Sequence, residues 1–243
     1  MSLIEKADLS GEILLTIIDF ERHFEVLSFC VFIKITKDRL EIVNNLLEQV
    51  VLTKNRKNTL NIRDIKSFKN QNDNLYGKFQ IINESIIRSL ATSNDLIGEV
   101  CDEINKVYKF QILKALFTTF VYIIITIWSS IYYIRTSDVS NTLPRIVLIS
   151  LFDIMSVCVM SYTCEVILLK RKSTKILVNE LIMDYDLTRQ MRIQAKAFME
   201  LIEVWPLQIS AYDMFTIDIK LILKFISVST TYLIVIIQVS HFL

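Results

Sequence analysis

Two histidines, His23 and His241, and four cysteines, Cys30, Cys101, Cys158 and Cys164, are the side chains best able to ligate a transition metal. Their spacing argues against it. No cysteine pair forms a CxxC, and the histidines lie near opposite ends of the chain, so no metal site is expected and the cysteines read as small packing residues. Gly11, Gly77 and Gly98 are too far apart for a phosphate loop or a dinucleotide fingerprint. No cofactor and no enzymatic activity are expected. A net charge of +1, with no basic motif interleaved with aromatics, points to no nucleic-acid partner.

What remains is the chemistry of polar groups inside apolar sequence. Asp153 and Glu165 interrupt a hydrophobic stretch, where an ionised group costs on the order of 2.5 to 3.5 kcal/mol at the centre of a span. Glu165 lies near Lys170 and reads as pairing or snorkelling there; Asp153, nearer the outer half, is a possible ligand or ion contact. Near the end of the chain, Ser227, Thr231, Ile234 and Gln238 recur at helical spacing and form one stripe, hydroxylic or amidic at all but Ile234. Such a stripe could line an aqueous pore, or it could bond neighbouring helices and its own i−4 carbonyls.

These groups need long helices to position them. The chain has 243 residues, 52% hydrophobic and 22% charged, with Gly 3 and Pro 2, which leaves an all-α membrane protein as the expected fold class. Ala115 to Ile134 is an uncharged run of the roughly 20 residues that cross a ~30 Å hydrocarbon core. Tyr122, Trp128, Tyr132 and Tyr133 suit its interface. The expected organisation is a partial transmembrane or interfacial helix over 1–36, a cytoplasmic helical region and loop over 37–112, a transmembrane helix over 113–134 and an extracellular loop over 135–145. A second transmembrane helix follows over 146–169, cytoplasmic anchor helices over 170–224 and a last transmembrane helix over 225–243.

Basic residues Lys106, Lys109 and Lys114, then Lys170, Arg171, Lys172 and Lys175, then Lys220 and Lys224 flank the same side of these spans. The positive-inside rule therefore puts the long N-terminal portion in the cytoplasm and the C-terminus outside. The formal sequon at Asn83-Glu84-Ser85 would stay cytoplasmic and unmodified. Between the spans, Ile176, Leu177, Leu181, Ile182, Tyr185, Leu187, Met191, Ile193, Phe198, Leu201 and Ile202 suggest amphipathic helices, with Trp205-Pro206 as a helix end.

The last span contains Thr231-Tyr232-Leu233-Ile234-Val235-Ile236-Ile237-Gln238, which resembles the TYhhhhhQF signature in the seventh transmembrane helix of insect gustatory receptors. Phe198, Leu201, Ala211, Phe215 and Asp218 fit the family's looser pattern leading into that helix. Asp213 stands where the family usually has Gly, Glu200 where Gln is common, and Val239 replaces the final Phe. Arg39, Asn44 and Leu47 are similar to the helix after the family's fourth span. Family members are usually much longer, so the chain is expected to correspond to a C-terminal portion.

The resemblance implies a taste chemoreceptor subunit: a ligand-gated cation channel in the plasma membrane, multi-pass, with an extracellular C-terminus, in dendrites of gustatory neurons. Its implied partners are membrane lipids, a small-molecule tastant and other gustatory receptor subunits in a homo- or heterotetramer. On this reading Ser227, Thr231, Ile234 and Gln238 line the pore, while Tyr232, Ala211 and Phe215 carry signature and packing roles. The alternative is a truncated, non-conducting subunit that assembles with full-length receptors and modulates them.

Overall fold

The computed structural model describes the backbone of residues 3–64, 72–136, 142–184 and 187–242, and the side chains of 17–52, 85–133, 144–184 and 187–239. It contains helices α1 (Leu3–Asp64), α2 (Asn72–Thr136), α3 (Thr142–Met183), α4 (Arg189–Val204) and α5 (Ile219–Phe242), and an antiparallel hairpin of β1 (Ser210–Ala211) and β2 (Phe215–Thr216). The chain is thus an all-α membrane protein carrying one small hairpin. Among the described residues, three helices are long and apolar enough to cross a membrane: Ser85–Tyr133, Pro144–Met183 and Ile219–Val239. The side chains of Asn83, Tyr185 and His241, and most of the expected loop over 135–145, lie outside the described residues.

The helices expected across 170–224 are interrupted by that hairpin, for local reasons. Pro206 has no amide hydrogen to continue α4 and restricts Trp205, whose φ of −106° and ψ of 96° are already extended. Tyr212 and Asp213 then take φ of 52° and 57°, and the Met214 amide donates to the Ala211 carbonyl at 3.1 Å. Two successive left-handed residues across such a bond make a tight turn of the I′ kind, whose twist matches a hairpin. Left-handed φ explains why glycine suits the position of Asp213, and Asp is among the few other residues that tolerate it. Asp213 Oδ1 also accepts from the Ser210 hydroxyl at 3.0 Å. The last helix begins at Ile219 rather than 225 because Asp218 caps it, Oδ1 accepting from the Leu221 amide at 3.1 Å.

The chain forms two compact units. One comprises Lys34–Glu103 and Val166–Gln208. Its core includes Leu40, Val43, Leu47, Ile87, Ile97, Val178 and Leu181, joined by the α4 stripe Met191, Ala195, Phe198 and Ile202. Thr188 starts α4 by accepting from the Met191 amide at 3.4 Å. Ile193 and Ile176, expected on the apolar faces, are exposed. Ile193 lies two residues, about 200°, from Met191 and so falls off that stripe. Buried Asn44 donates to the Lys170 carbonyl at 3.0 Å and accepts from the Thr174 hydroxyl at 2.6 Å.

The end of α4 is tied from two sides. Arg171 donates to the Ile202 and Trp205 carbonyls at 2.8 and 2.9 Å, a cation on carbonyls that a helix C-terminus leaves unpaired. The Trp205 indole N–H donates to Asp95 at 2.7 Å. Buried Gly98 lies against the indole: a Cβ there would fall 2.6 Å from Trp205 Cδ1 and 2.7 Å from its Cβ. Lys170 and Lys37 hold the Glu41 carboxyl below its ordinary pKa, and Lys175, at 2.9 Å, does the same to Glu203.

The other unit comprises Met1–Ile33, Ile104–Glu165 and Ile209–Leu243. Val26, Phe29, Ile33, Ile112, Leu116, Val157, Met160 and Cys164 form its core. Several hydroxyls along its helices are satisfied at home: Thr119 donates to the Ala115 carbonyl at 2.9 Å, Thr126 to Tyr122 at 2.8 Å and Ser130 to Thr126 at 2.7 Å.

Candidate functional site

Three features of this second unit can do chemistry: a buried ionic cluster, an apolar groove beside it and the outward face of α5.

The cluster is built by α1, α2 and α3. On α1, Asp19, Arg22 and His23 fall within about one turn, which brings them to neighbouring positions on the helix. Arg22 Nη2 donates to Asp153 Oδ1 on α3 at 2.5 Å and lies 3.3 Å from Asp19. His23 Nε2 lies 3.2 Å from the same Asp153 oxygen. Tyr122 of α2 donates its hydroxyl to Asp19 at 3.3 Å, and its ring stands 5.4 Å from the guanidinium carbon. Tyr122 therefore serves the cluster rather than the expected interfacial belt, whereas Trp128 and Tyr132 are exposed. The side chains of Arg22 and Asp153 are 4% and 1% exposed, so the pair is removed from solvent. Burial on this scale is tolerated only by a charge that has a partner. Asp153, singled out as a possible ligand or ion contact, is in direct contact with protein cations, and its Oδ2 has no hydrogen-bond partner in the protein.

Beside the cluster runs a groove of about 470 Å³ between α1 and α3. Phe20, Phe24 and Leu27 face Phe152, Met155 and Val159 across it, and its polar side chains are His23, Cys30 and Ser156. His23 belongs to both places. Its ring packs edge-on against Phe152, with centroids 4.6 Å apart, while Nε2 reaches Asp153.

On α5, the positions turned toward the rest of the unit are Leu221, Ile222, Phe225, Ser229, Leu233 and Ile236, all buried or half-buried. Phe225 and Tyr232 both meet Phe120 of α2 edge-on, with centroids 6.2 and 5.3 Å apart. Tyr232 thus meets a neighbouring helix through one edge of its ring, although it is partly exposed. Ser227, Thr231, Ile234 and Gln238 are all exposed. At ~100° per residue their stripe is centred about 180° from the packed face. The Thr231 hydroxyl donates to the Ser227 carbonyl at 3.0 Å, which satisfies its donor and leaves oxygen lone pairs to face outward. Ala211 is fully buried in β1 and Phe215, in β2, is half-buried.

The junction between α3 and α5 uses acids that sequence reasoning placed elsewhere. Glu165 Oε2 accepts from the Ile219 amide at 3.3 Å, at the start of α5, while Lys170 bonds Glu41 at 2.9 Å. A carboxylate beside unpaired N-terminal amides is favourable, which accounts for the choice. Asp213 and Asp218 bond Ser210 and Leu221. Arg22 was the residue missed. Its signal was present, because a single arginine in one apolar stretch and a single aspartate in another are most cheaply buried together.

A family model described as 7tm chemosensory receptor matches residues 14–240. No curated protein matches the chain.

Proposed function

This chain belongs to the 7tm chemosensory receptor family, and from that premise we propose that it is a gustatory receptor subunit of a ligand-gated cation channel. In this reading the subunit sits in the plasma membrane of gustatory neurons with its C-terminus outside and assembles as a homo- or heterotetramer. Small-molecule tastants bind along the groove beside Asp153. The last helix of each copy lines a central pore with Ser227, Thr231, Ile234 and Gln238.

The observation that carries the reading is the direction of the α5 stripe. Its polar positions point away from the helix's own packing partners. Against lipid an amide such as Gln238 would go unsatisfied, at a cost of several kcal/mol. Around an axis shared by several copies the same positions meet water and ions, and neutral oxygens suit weakly selective cation passage.

Gln238→Ala is expected to change ion selectivity or open probability in a competent assembly at unchanged surface expression, because an outward-facing amide has little packing to lose. Tyr232→Ala removes a ring that meets Phe120 and is expected to lower assembly yield instead. Single-channel recording alongside surface-protein quantification separates the two roles. Normal conductance, selectivity and gating in surviving Gln238→Ala channels would remove Gln238 from the pore.

A further inference from the structure

The outward stripe of α5 does not begin at Ser227. At ~100° per residue, Lys220 falls about 20° from Ser227 around the helix and Lys224 about 60°. Both therefore lie within about 40° of the centre of the face that Ser227, Thr231, Ile234 and Gln238 define. Lys220 and Lys224 are exposed, whereas Leu221, Ile222 and Phe225 beside them are buried or half-buried. At ~1.5 Å per residue, Lys224 stands about 4.5 Å below Ser227 along the axis and Lys220 about 10 Å below it. One face thus carries two ammonium groups at its lower end and only neutral groups above them.

The helix offers these lysines no acid of its own, because α5 contains neither Asp nor Glu. The acids near its start are engaged at backbone or hairpin. Asp218 caps the Leu221 amide at 3.1 Å, Glu165 accepts from the Ile219 amide at 3.3 Å, and Asp213 accepts from the Ser210 hydroxyl at 3.0 Å. Lysine also suits an edge position, since its stem can lie along apolar surface while the ammonium stays in water.

We propose that Lys220 and Lys224 form a positively charged inner mouth to the pore, which lowers the cation concentration at its cytoplasmic end and makes the channel pass cations inward more readily than outward. The inference rests on the pore reading above and names what sets the direction of flow through it. Several copies of α5 around one axis bring these lysines together, and like charges lining one opening sum to a potential of several kT. A cation entering from the cytoplasm meets that potential before it reaches any neutral oxygen of the stripe. One arriving from outside has already exchanged its water for those oxygens and meets the potential only on leaving. Salt sets the reach of the effect, because the screening length falls from about 30 Å at 0.01 M to about 3 Å at 1 M.

The test uses excised patches carrying a competent assembly, with Ser227→Cys as a probe just above the lysines and the chain without it as control. Anionic and cationic methanethiosulfonates are applied from the cytoplasmic side, and their rates of current modification are normalised to their rates with a free thiol. The anionic reagent should lead by about tenfold in about 0.01 M salt and by less than about twofold in 1 M. Without Ser227→Cys, unitary inward current should exceed outward current at least about twofold in symmetrical 0.01 M salt and match it in 1 M. Lys220→Gln with Lys224→Gln should remove both asymmetries in low salt. Equal normalised rates, or rectification that survives the double substitution, would overturn the charged mouth and leave the pore standing. Current through Ser227→Cys that neither reagent alters would overturn the pore reading, and the charged mouth with it.

Discussion

Arg22→Met is expected to be among the most damaging single changes in the chain, lowering stability by about 3 to 5 kcal/mol, as breaking a buried ion pair does elsewhere. Methionine fills much of the same volume, so the loss is electrostatic rather than a cavity. Without the guanidinium, Asp153 keeps only His23, and Asp19 keeps only the Tyr122 hydroxyl. The penalty has a ceiling. Asp153 can escape by taking a proton, which from an ordinary carboxyl near ~3.9 costs about 4 kcal/mol at neutral pH. The deficit should therefore shrink as pH falls toward 5, because the escape becomes cheaper. Adding Asp153→Leu should recover most of the loss, since a pair replaced whole leaves no orphaned charge at its centre. Thermal unfolding in nanodiscs across that pH range provides the measurement. An Arg22→Met protein as stable as the unsubstituted chain would mean that the pair is solvated rather than buried.

Gly98→Ala is expected to destabilise the other unit, by less than Arg22→Met does its own and against the usual direction for a helix. Glycine to alanine inside a helix normally gains about 0.5 to 1 kcal/mol of backbone entropy. Here the added methyl would overlap Trp205 at Cγ, Cδ1 and Cβ, atoms too near the backbone to swing aside. The indole is also fixed by its bond to Asp95, and its carbonyl by Arg171. Overpacking of this kind costs about 1 to 3 kcal/mol, so the net result is a loss. Trp205→Ala should lose the Asp95 bond yet relieve part of the clash, because it removes Cγ and Cδ1. Combined with Gly98→Ala, it should be less harmful than the sum of the two single changes. Additive unfolding free energies would show that the methyl finds room elsewhere.

Long-period features were legible in the sequence because they repeat. The three spans follow from long apolar runs, of which only the second is interrupted, by Asp153 and Glu165. The α4 face follows from Met191, Phe198 and Ile202, and its end follows from Pro206. The hairpin was not legible, because strands of two residues carry no period and the left-handed turn uses Tyr212 and Asp213 instead of glycine. Gly98 read only as a mild helix weakener; its reason lies in a tryptophan 107 positions on, which local sequence does not encode. The stripe Ser227, Thr231, Ile234 and Gln238 was readable as a face, but only packing tells which way a face points. Asp153 was visible as costly, and its 131-residue separation from Arg22 hid that each offsets the other.

The home-satisfied hydroxyls of α2 bear on how such a chain is made. Thr119, Thr126 and Ser130 each bond a carbonyl one turn back, so the apolar run that holds them presents little unmet polarity before any neighbour arrives. It could leave the translocon for lipid alone. Arg22 has Asp19 on its own helix, but the buried Asp153 meets its cations on α1, so the two segments are cheapest in lipid side by side. Biogenesis then acquires an order that the finished protein no longer displays: α1 waits at the translocon or the interface while α2 passes, and is released when α3 emerges with its aspartate.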